Sequence, residues 1–271
     1  MSDYVLPDQF PPIWASDWGE DECGLWIAFT YKGIRQAFRW IPPGRFMMGS
    51  PDSELERDND ELQHEVTLSK GYWLAETTCT QALWEAVMDN NPSEFKGSER
   101  PAENISWNDA QQFMQTLNDE QEELGLRFPT EAEWEHACRA ETQTPFNFGE
   151  NITTDQVNIN GNHPYADAEK GQYRAETVEV TALPKNSWGF YQMHGNVREW
   201  CADWFGNYPA EAVTDPIGPK TGDSRVLRGG SWISLGRRVR SAYRSMRDPS
   251  NRNGSIGFRL ARGPKGEPAG E

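Results

Sequence analysis

Apolar residues recur at helical spacing in three segments between residues 80 and 140. Residues three and four positions apart lie on the same face of a helix. The predicted helices begin after Thr80, Ser106 and Thr130, whose hydroxyls can accept hydrogen bonds from the first turn. In the third, Thr130 and Glu133 form a capping box, and Trp134 faces inward. The pattern therefore predicts three short, amphipathic helices.

Short apolar segments with turn residues between them predict strands before the first helix. The predicted strands cover residues 25–31, 36–39, 45–48, 66–68 and 72–74. The turns at 42–44 and 70–71 each contain Gly, and we expect each to connect the two strands of a hairpin. After Ala140 the helical spacing ends, and Gly- and Pro-containing turns interrupt residues 158–261.

The composition favours one domain with an aromatic core. The 271 residues are 36% apolar and include 12 Trp, 12 Phe and 8 Tyr, which bury large areas from few positions. No stretch resembles a linker long enough to separate two cores. Together with the helix and strand pattern, this predicts a single, loop-rich α+β domain.

The formal net charge of −16 limits the classes of partner. Nucleic acid and anionic membranes are bound by clustered Lys and Arg, so neither is expected as a partner. The acidic run over residues 52–61 lacks calcium-loop spacing and is predicted to be a solvated loop. The carboxylates of Glu131 and Glu135 are likewise attributed to solvation of their helix. Residues 225–262 are instead rich in Arg and poor in carboxylates.

The cysteines indicate a reducing compartment. The four of them, Cys23, Cys79, Cys138 and Cys201, are too few for a disulfide framework in a chain of this length and include no CxxC pair. This predicts reduced, mostly buried thiols and gives no indication of zinc. No leader-like start and no apolar stretch of membrane-spanning length is evident, so we expect a cytoplasmic protein.

Six short motifs occur one after another along the chain. They are Phe46-Met-Met-Gly-Ser50, Ser106-Trp-Asn-Asp109, Arg127-Phe-Pro-Thr-Glu-Ala-Glu-Trp-Glu135, Gly195-Asn-Val-Arg-Glu-Trp200, Arg228-Gly-Gly-Ser-Trp232 and Gly257-Phe-Arg259. In this order they resemble the sulfatase-modifying-factor family over roughly residues 38–262. The resemblance implies a C-type-lectin-like domain over residues 36–262. An N-terminal extension over 1–35 is then expected to pack on it, and a flexible tail to cover 263–271.

The resemblance includes formylglycine-generating enzymes, whose chemistry requires particular side chains. They hold copper and engage the substrate through two cysteine thiols just beyond the Gly-Gly-Ser turn. The matching positions here hold Ser234 and either Gly236 or Val239, and no cysteine follows Cys201. Related sulfoxide synthases bind iron through histidines, whereas the four histidines here are scattered. We therefore expect neither copper nor iron and assign no catalytic residue.

The resemblance also implies a structural calcium site. Family members use an oxygen side chain, two backbone carbonyls and a Glu carboxylate, which are the hard ligands that calcium prefers. The matching residues are Gln192, Gly195, Val197 and Glu199. Gln192 replaces the commoner Asn or Asp with a longer, neutral amide, which weakens the site. The alternative is that Glu199 accepts backbone amides in the same turn without an ion.

Three short clusters of unrelated chemistry separate the motifs of the C-terminal region. The predicted ligand-binding residues are Ile233, Ser234, Leu235, Ser245, Met246, Arg247, Asn253, Gly254 and Ser255, together with Trp232 and Arg237. In the variable proteins of diversity-generating retroelements, which also belong to this family, replacement of adenines in Asn codons yields most of these residue types but not Met. Because Met246 departs from that pattern, ordinary divergence of exposed loops stays open as an alternative.

These observations predict a non-catalytic domain whose C-terminal loops bind a protein or other macromolecule, since aromatic, Met and Arg side chains bury much area at interfaces. A retroelement-diversified variable protein is one form of this hypothesis. The alternative is a formylglycine-generating or related oxidative enzyme with a non-standard metal centre. A third is a purely structural or regulatory subunit.

Overall fold

The strands of this chain lie in separate sheets, packed with short helices. A computed structural model describes residues 6–121 and 123–263, so the predicted tail falls outside the described residues except for Gly263. The strands are β1 (Asp17–Asp21), β2 (Gly24–Tyr31), β3 (Ile34–Ile41), β4 (Gly44–Met48), β5 (His64–Leu68), β6 (Tyr72–Ala75), β7 (Leu126–Arg127), β8 (Arg198–Trp204), β9 (Val213–Thr214), β10 (Arg225–Arg228), β11 (Ser245–Arg247), β12 (Ile256–Phe258) and β13 (Ala261–Arg262). The helices are α1 (Gln81–Met88), α2 (Trp107–Glu120) and α3 (Glu131–Arg139), and a short 3-10 helix covers Gly236–Val239. The fold is therefore α+β, as predicted.

All three predicted helices are confirmed, with the predicted caps. The Thr80 hydroxyl accepts a hydrogen bond from the Leu83 amide at 3.2 Å. Both α2 and α3 begin with reciprocal capping boxes, formed in α3 by Thr130 and Glu133. These bonds satisfy amides that a helix leaves unpaired at its start, which is why the helices begin where the sequence indicates.

The two predicted hairpins are wrong, although their strands exist. Strand β3 pairs with β6, and β4 pairs with β5, so both turns carry the chain from one sheet to another. The reason is the burial of β6, whose four side chains all lie in the core. Trp73 packs in one hydrophobic cluster, whereas Tyr72 and Leu74 pack in another. A strand buried on both faces is stabilised by partners on both edges, here β3 and β13.

The predicted strand over residues 25–31 is also confirmed and extends the main sheet. Strand β2 lies between β1 and β3, so the sheet runs β1-β2-β3-β6-β13-β7. Its inward residues Ile27 and Phe29 pack in the same cluster as α1 and α2. Segments before the family motifs therefore contribute to the core.

Strand β8 occupies the centre of the second sheet, which has the order β11-β10-β8-β12. It is antiparallel to β10 and parallel to β12. The loops that leave these strands form the C-terminal surface described below. No helix among the described residues is long and apolar enough to cross a bilayer.

Candidate binding surface of the C-terminal loops

A glycine turn starts the main loop of this surface. Strand β10 ends at Arg228, and Gly229 and Gly230 follow with φ angles of 84° and 66°. A Cβ atom on Gly230 would lie 2.5 Å from the carbonyl oxygen of Arg238, so the chain passes too close for a side chain. The turn thereby folds residues 231–240 back over the end of β10.

Buried ion pairs hold this loop against helix α3. The guanidinium of Arg228 contacts Glu135 at 2.6 Å and Glu131 at 3.1 Å, and Arg244 contacts Glu131 at 2.7 Å. Glu131 and Glu135 are only 3% and 0% exposed, so their attribution to helix solvation is wrong. Burial raises the pKa of Glu131, but Arg244 and Arg228 outweigh it, and the pKa lies below its usual value. These carboxylates are internal counterions of the arginines.

A second ion-pair group attaches the acidic run to the same loop. Arg240 contacts Glu54 at 2.5 Å and Glu61 at 2.7 Å, and all three side chains are almost completely buried. Asp52, in contrast, is 98% exposed at its side chain and pairs with Arg57 at the surface. The prediction of a solvated loop over residues 52–61 is therefore wrong for Glu54 and Glu61. Arg240 is an internal partner of these two carboxylates that local sequence does not reveal.

The predicted ligand-binding residues divide into exposed and inward-facing positions. Ile233 and Met246 are 47% and 46% exposed, and Arg247 is exposed beside Met246. Ser245, Leu235, Asn253 and Gly254 are half-buried. Arg237, also half-buried, pairs with Asp58 of the acidic run at 3.4 Å.

The structure brings the first and third predicted clusters together. The indole nitrogen of Trp232 donates to the Gly254 carbonyl at 2.8 Å. Ser234 and Ser255 are 2% and 7% exposed, so their hydroxyls are not surface contacts. Both hydroxyls instead accept hydrogen bonds from Arg198, at 3.3 and 2.8 Å. Arg198 thus connects the two loops from the start of β8.

Three residues of this surface, Phe95, Tyr173 and Arg198, were not identified from the sequence. Trp232 meets the edge of Phe95 at 5.3 Å between ring centroids and stacks near Tyr173 at 6.2 Å. Phe95 and Tyr173 come from distant loops, so no local pattern signals them. The position of Arg198 could have been inferred from its motif. Neighbouring residues of a strand point to opposite faces, so a buried Glu199 implies that Arg198 points outward.

The three buried thiols, those of Cys79, Cys138 and Cys201, are unsuited to reaction. Burial raises the pKa of Cys138 to about 12 and raises those of Cys79 and Cys201 as well. His194 lies 3.7 Å from the Cys138 sulfur, but burial lowers its pKa to about 4. Cys138 is therefore a protonated core residue and not an activated nucleophile.

The residues expected to bind calcium lie around the start of β8. Both carboxylate oxygens of Glu199 accept hydrogen bonds from Arg259, and one also accepts from the Trp134 indole at 2.7 Å. The buried Gln192 amide donates to the Glu179 carbonyl, while its Oε1 atom has no hydrogen-bond partner. Glu199 is thus bound by side chains and not by backbone amides. The Gln192 oxygen is therefore a buried acceptor without a hydrogen-bond partner.

Comparison with known proteins places this architecture in a family. The sulfatase-modifying factor enzyme 1-like domain matches residues 33–264. A formylglycine-generating enzyme of Streptomyces coelicolor is 40% identical over 172 residues, which are 59% of this chain and 52% of that protein. Serine/threonine-protein kinase pkn1 of Chlamydia caviae is 40% identical over 147 residues, 52% of this chain but only 22% of the kinase. The matches therefore span only part of each relative's length.

Solved structures confirm the expected fold. Variable protein 1 of Treponema denticola superimposes with a TM-score of 0.74 and 27% identity, covering 88% of this chain and 98% of that one. PvdO from Pseudomonas aeruginosa has a TM-score of 0.69 at 24% identity, covering 92% and 98%, and shows the fold alone. With the domain match extending over residues 33–264, this chain belongs to the sulfatase-modifying factor enzyme 1-like family and has its C-type-lectin-like α+β fold.

Proposed function

We propose that this chain is a non-catalytic member of the family whose C-terminal loops bind a protein or other macromolecule. The observation that carries the proposal is the exposure of Ile233, Met246 and Arg247 on a loop and an edge strand that follow elements held to the core by buried ion pairs. A rigid frame lowers the entropy lost when loops are ordered by a partner. At one of the two positions where formylglycine-generating enzymes have a cysteine, this chain has Ser234, which is buried and accepts a hydrogen bond from Arg198.

The similarity to a variable protein supports the narrower proposal of a retroelement-diversified binder. Such a protein requires a reverse transcriptase and a near-copy of the region encoding residues 227–259 in the neighbouring DNA. Finding both would support diversification of these loops. Their absence would contradict it and leave a binder of fixed sequence.

The binding proposal can be tested with matched surface variants. Ile233→Asp and Met246→Asp, made together, place charges on the loop surface, whereas Ile217→Asp changes an equally apolar residue that is 60% exposed outside the predicted clusters. We expect proteins crosslinked to the wild type in cells to be lost from the loop variant and retained by the control. Identical crosslinked proteins for all three would contradict the proposal.

The alternative, an oxidative enzyme with an altered centre, is favoured by one specific finding. The Streptomyces coelicolor relative that is 40% identical is a formylglycine-generating enzyme. Purified protein would be assayed for bound copper and iron and for oxygen consumption with a cysteine-containing peptide. Stoichiometric redox metal together with turnover would overturn the non-catalytic proposal.

We also propose a structural calcium ion held by Gln192, Gly195, Val197 and Glu199. Two of these residues keep acceptor capacity. Gln192 Oε1 is buried without a hydrogen-bond partner, and Glu199 Oε1 accepts one hydrogen bond, from Arg259. When bound, the ion would fix the turn that leads into β8.

Calcium added after chelation should then raise the melting midpoint, because a ligand of the folded state stabilises it by mass action. Magnesium, which demands a tighter octahedral set, should act less. Gln192→Leu should abolish the calcium response. An unchanged wild-type midpoint would indicate a turn that is stable without an ion.

A further inference from the structure

Arg198 lies at the start of β8, where its hydrogen-bond partners are uncharged. Its guanidinium is half-buried, and its hydrogen bonds go to the neutral hydroxyls of Ser255 and Ser234. A guanidinium carries five N–H groups, so these two bonds leave three for another acceptor. Across the described ranges, Arg198 forms no ion pair with a carboxylate.

Buried arginines elsewhere in the chain are neutralised. Each of the following has a Glu partner within 3.1 Å: Arg139, Arg228, Arg240, Arg244 and Arg259. A charge removed from water is costly unless a counterion accompanies it. Half-buried Arg225 also has no carboxylate partner, but its guanidinium lies over the rings of Trp107 and Trp204, at 4.1 and 3.6 Å from their centroids. Among the described residues, Arg198 has neither a carboxylate nor a ring contact of this kind.

The charged neighbours of Arg198 increase this deficit. Burial lowers the pKa of Arg198; Tyr243 opposes this, whereas Arg247 and Arg238 lower it further. Arg238 has a buried Nε without a hydrogen-bond partner, and Arg247 is exposed. Like charges grouped in this way favour an anion that would bind among them.

Two acidic side chains of the neighbouring loops bond to groups other than Arg198. Glu103 Oε1 accepts hydrogen bonds from the backbone amides of Glu94 and Phe95, at 2.5 and 2.9 Å, whereas its buried Oε2 has no hydrogen-bond partner. Asp248, which follows Arg247, accepts bonds from Ser250. None of these carboxylates is among the groups that shift the pKa of Arg198.

We propose that Arg198, assisted by Arg238 and Arg247, forms a site for a carboxylate carried by the protein partner of this surface. The site rests on the proposed binding function and specifies the chemistry of its ligand. Remaining N–H groups of Arg198 would donate to the carboxylate, and such charge-assisted bonds are stronger than neutral ones. Trp232, with Phe95 and Tyr173 beside it, provides an apolar wall for the adjoining residues of the partner.

A single carboxylate fits this surface better than a polyanion. Three arginines can neutralise one acidic group locally, whereas the net charge of −16 repels an extended run of negative charge. Screening at physiological ionic strength confines that repulsion to short range. An isolated Glu or Asp among apolar residues is therefore the expected recognition element.

The test uses two blocked peptides that differ by one carboxylate, acetyl-Ala-Ala-Glu-Ala-Ala-amide and its Gln counterpart. Binding is followed by NMR through the Arg198 Nε–H signal and the backbone amides of Trp232 and Ser255. We expect saturable shifts with the Glu peptide and none with the Gln peptide. Arg198→Gln should lower the affinity at least about tenfold, since hydrogen bonds to charged groups are stronger than hydrogen bonds between neutral groups.

Matched variants separate a binding role from a folding role. Arg247→Gln removes an exposed charge whose guanidinium donates only to the carbonyl of Met246, so it should fold normally and weaken binding severalfold. Arg45→Gln removes an exposed charge from β4 and should leave binding unchanged. If Arg198→Gln does not fold, the comparison of Arg247→Gln with Arg45→Gln still tests the site.

Three results would overturn the inference. They are equal shifts with the two peptides, equal affinity of wild type and both site variants, or shifts with inorganic phosphate but not with the Glu peptide. If one of these occurs while the loop variant at residues 233 and 246 still loses its crosslinked partner, only the carboxylate site fails. If the loop variant also retains its crosslinked partner, the proposed binding function fails as well.

Discussion

At the scale of single residues, helix α3 shows how burial changes the role of a side chain. Glu131, Glu133 and Glu135 look alike in the sequence, yet only Glu133 acts in the predicted cap. The other two neutralise arginines of β10 and the following loop. Trp134 lies between them, donates to Glu199 at 2.7 Å and has the Arg228 guanidinium 5.3 Å from its ring.

Trp134→Ala should destabilise the domain by about 3–5 kcal/mol, because it removes a fully buried ring and leaves a cavity. Trp18→Ala, at a ring that is 49% exposed on β1, is the control and should cost much less. Urea unfolding of both variants measures the difference. Equal losses would show that Trp134 is not the core residue assigned here.

At the scale of elements, the acidic loop and the C-terminal loop stabilise each other through Arg240. The loop between β4 and β5 supplies Glu54 and Glu61, and the end of the 3-10 helix leads into Arg240. Neither loop has a regular ladder of its own over these residues. Their order therefore depends on a buried charge cluster, which is expensive to break by removing one partner.

Glu61→Gln should destabilise the protein by about 3 kcal/mol, because it leaves Arg240 with an incomplete set of buried counterions. Asp52→Asn changes the same loop at a side chain that is 98% exposed, and should cost less than about 1 kcal/mol. Thermal unfolding at neutral pH compares them. A loss at Asp52 as large as that at Glu61 would contradict the burial argument.

At the scale of the whole molecule, buried titratable groups make stability depend on pH. His136 stacks against Phe46 at 4.8 Å between centroids, and burial lowers its pKa to about 4. The unfolded chain binds a proton at this residue near pH 6.5, while the folded chain does not until about pH 4. The contribution of His136 to stability must therefore fall as the pH falls through this window. Asp203, whose pKa burial raises to about 8, acts in the opposite direction.

His136→Phe should flatten the loss of stability between pH 6.5 and 4 by up to about 3 kcal/mol, since one pKa unit corresponds to about 1.4 kcal/mol. Asp203 contributes equally to wild type and variant, so the difference isolates the histidine. His163→Phe, at an exposed position, should keep the wild-type slope. Parallel pH profiles for wild type and His136→Phe would refute the assignment.

The sequence by itself determined the three helices and their first residues, the five strand segments before the first helix and the family. These depend on interactions between residues close in the chain, such as the capping box of Thr130 and Glu133, or on the order of short motifs. Only the tertiary structure decided which strands pair and which charges meet. Arg228 and Glu135 are 93 positions apart, and Arg240 and Glu61 are 179 apart. No local pattern specifies such partners, because burial and the path of the intervening chain select them. For the same reason the uncompensated charge of Arg198 became visible only when its surroundings were known.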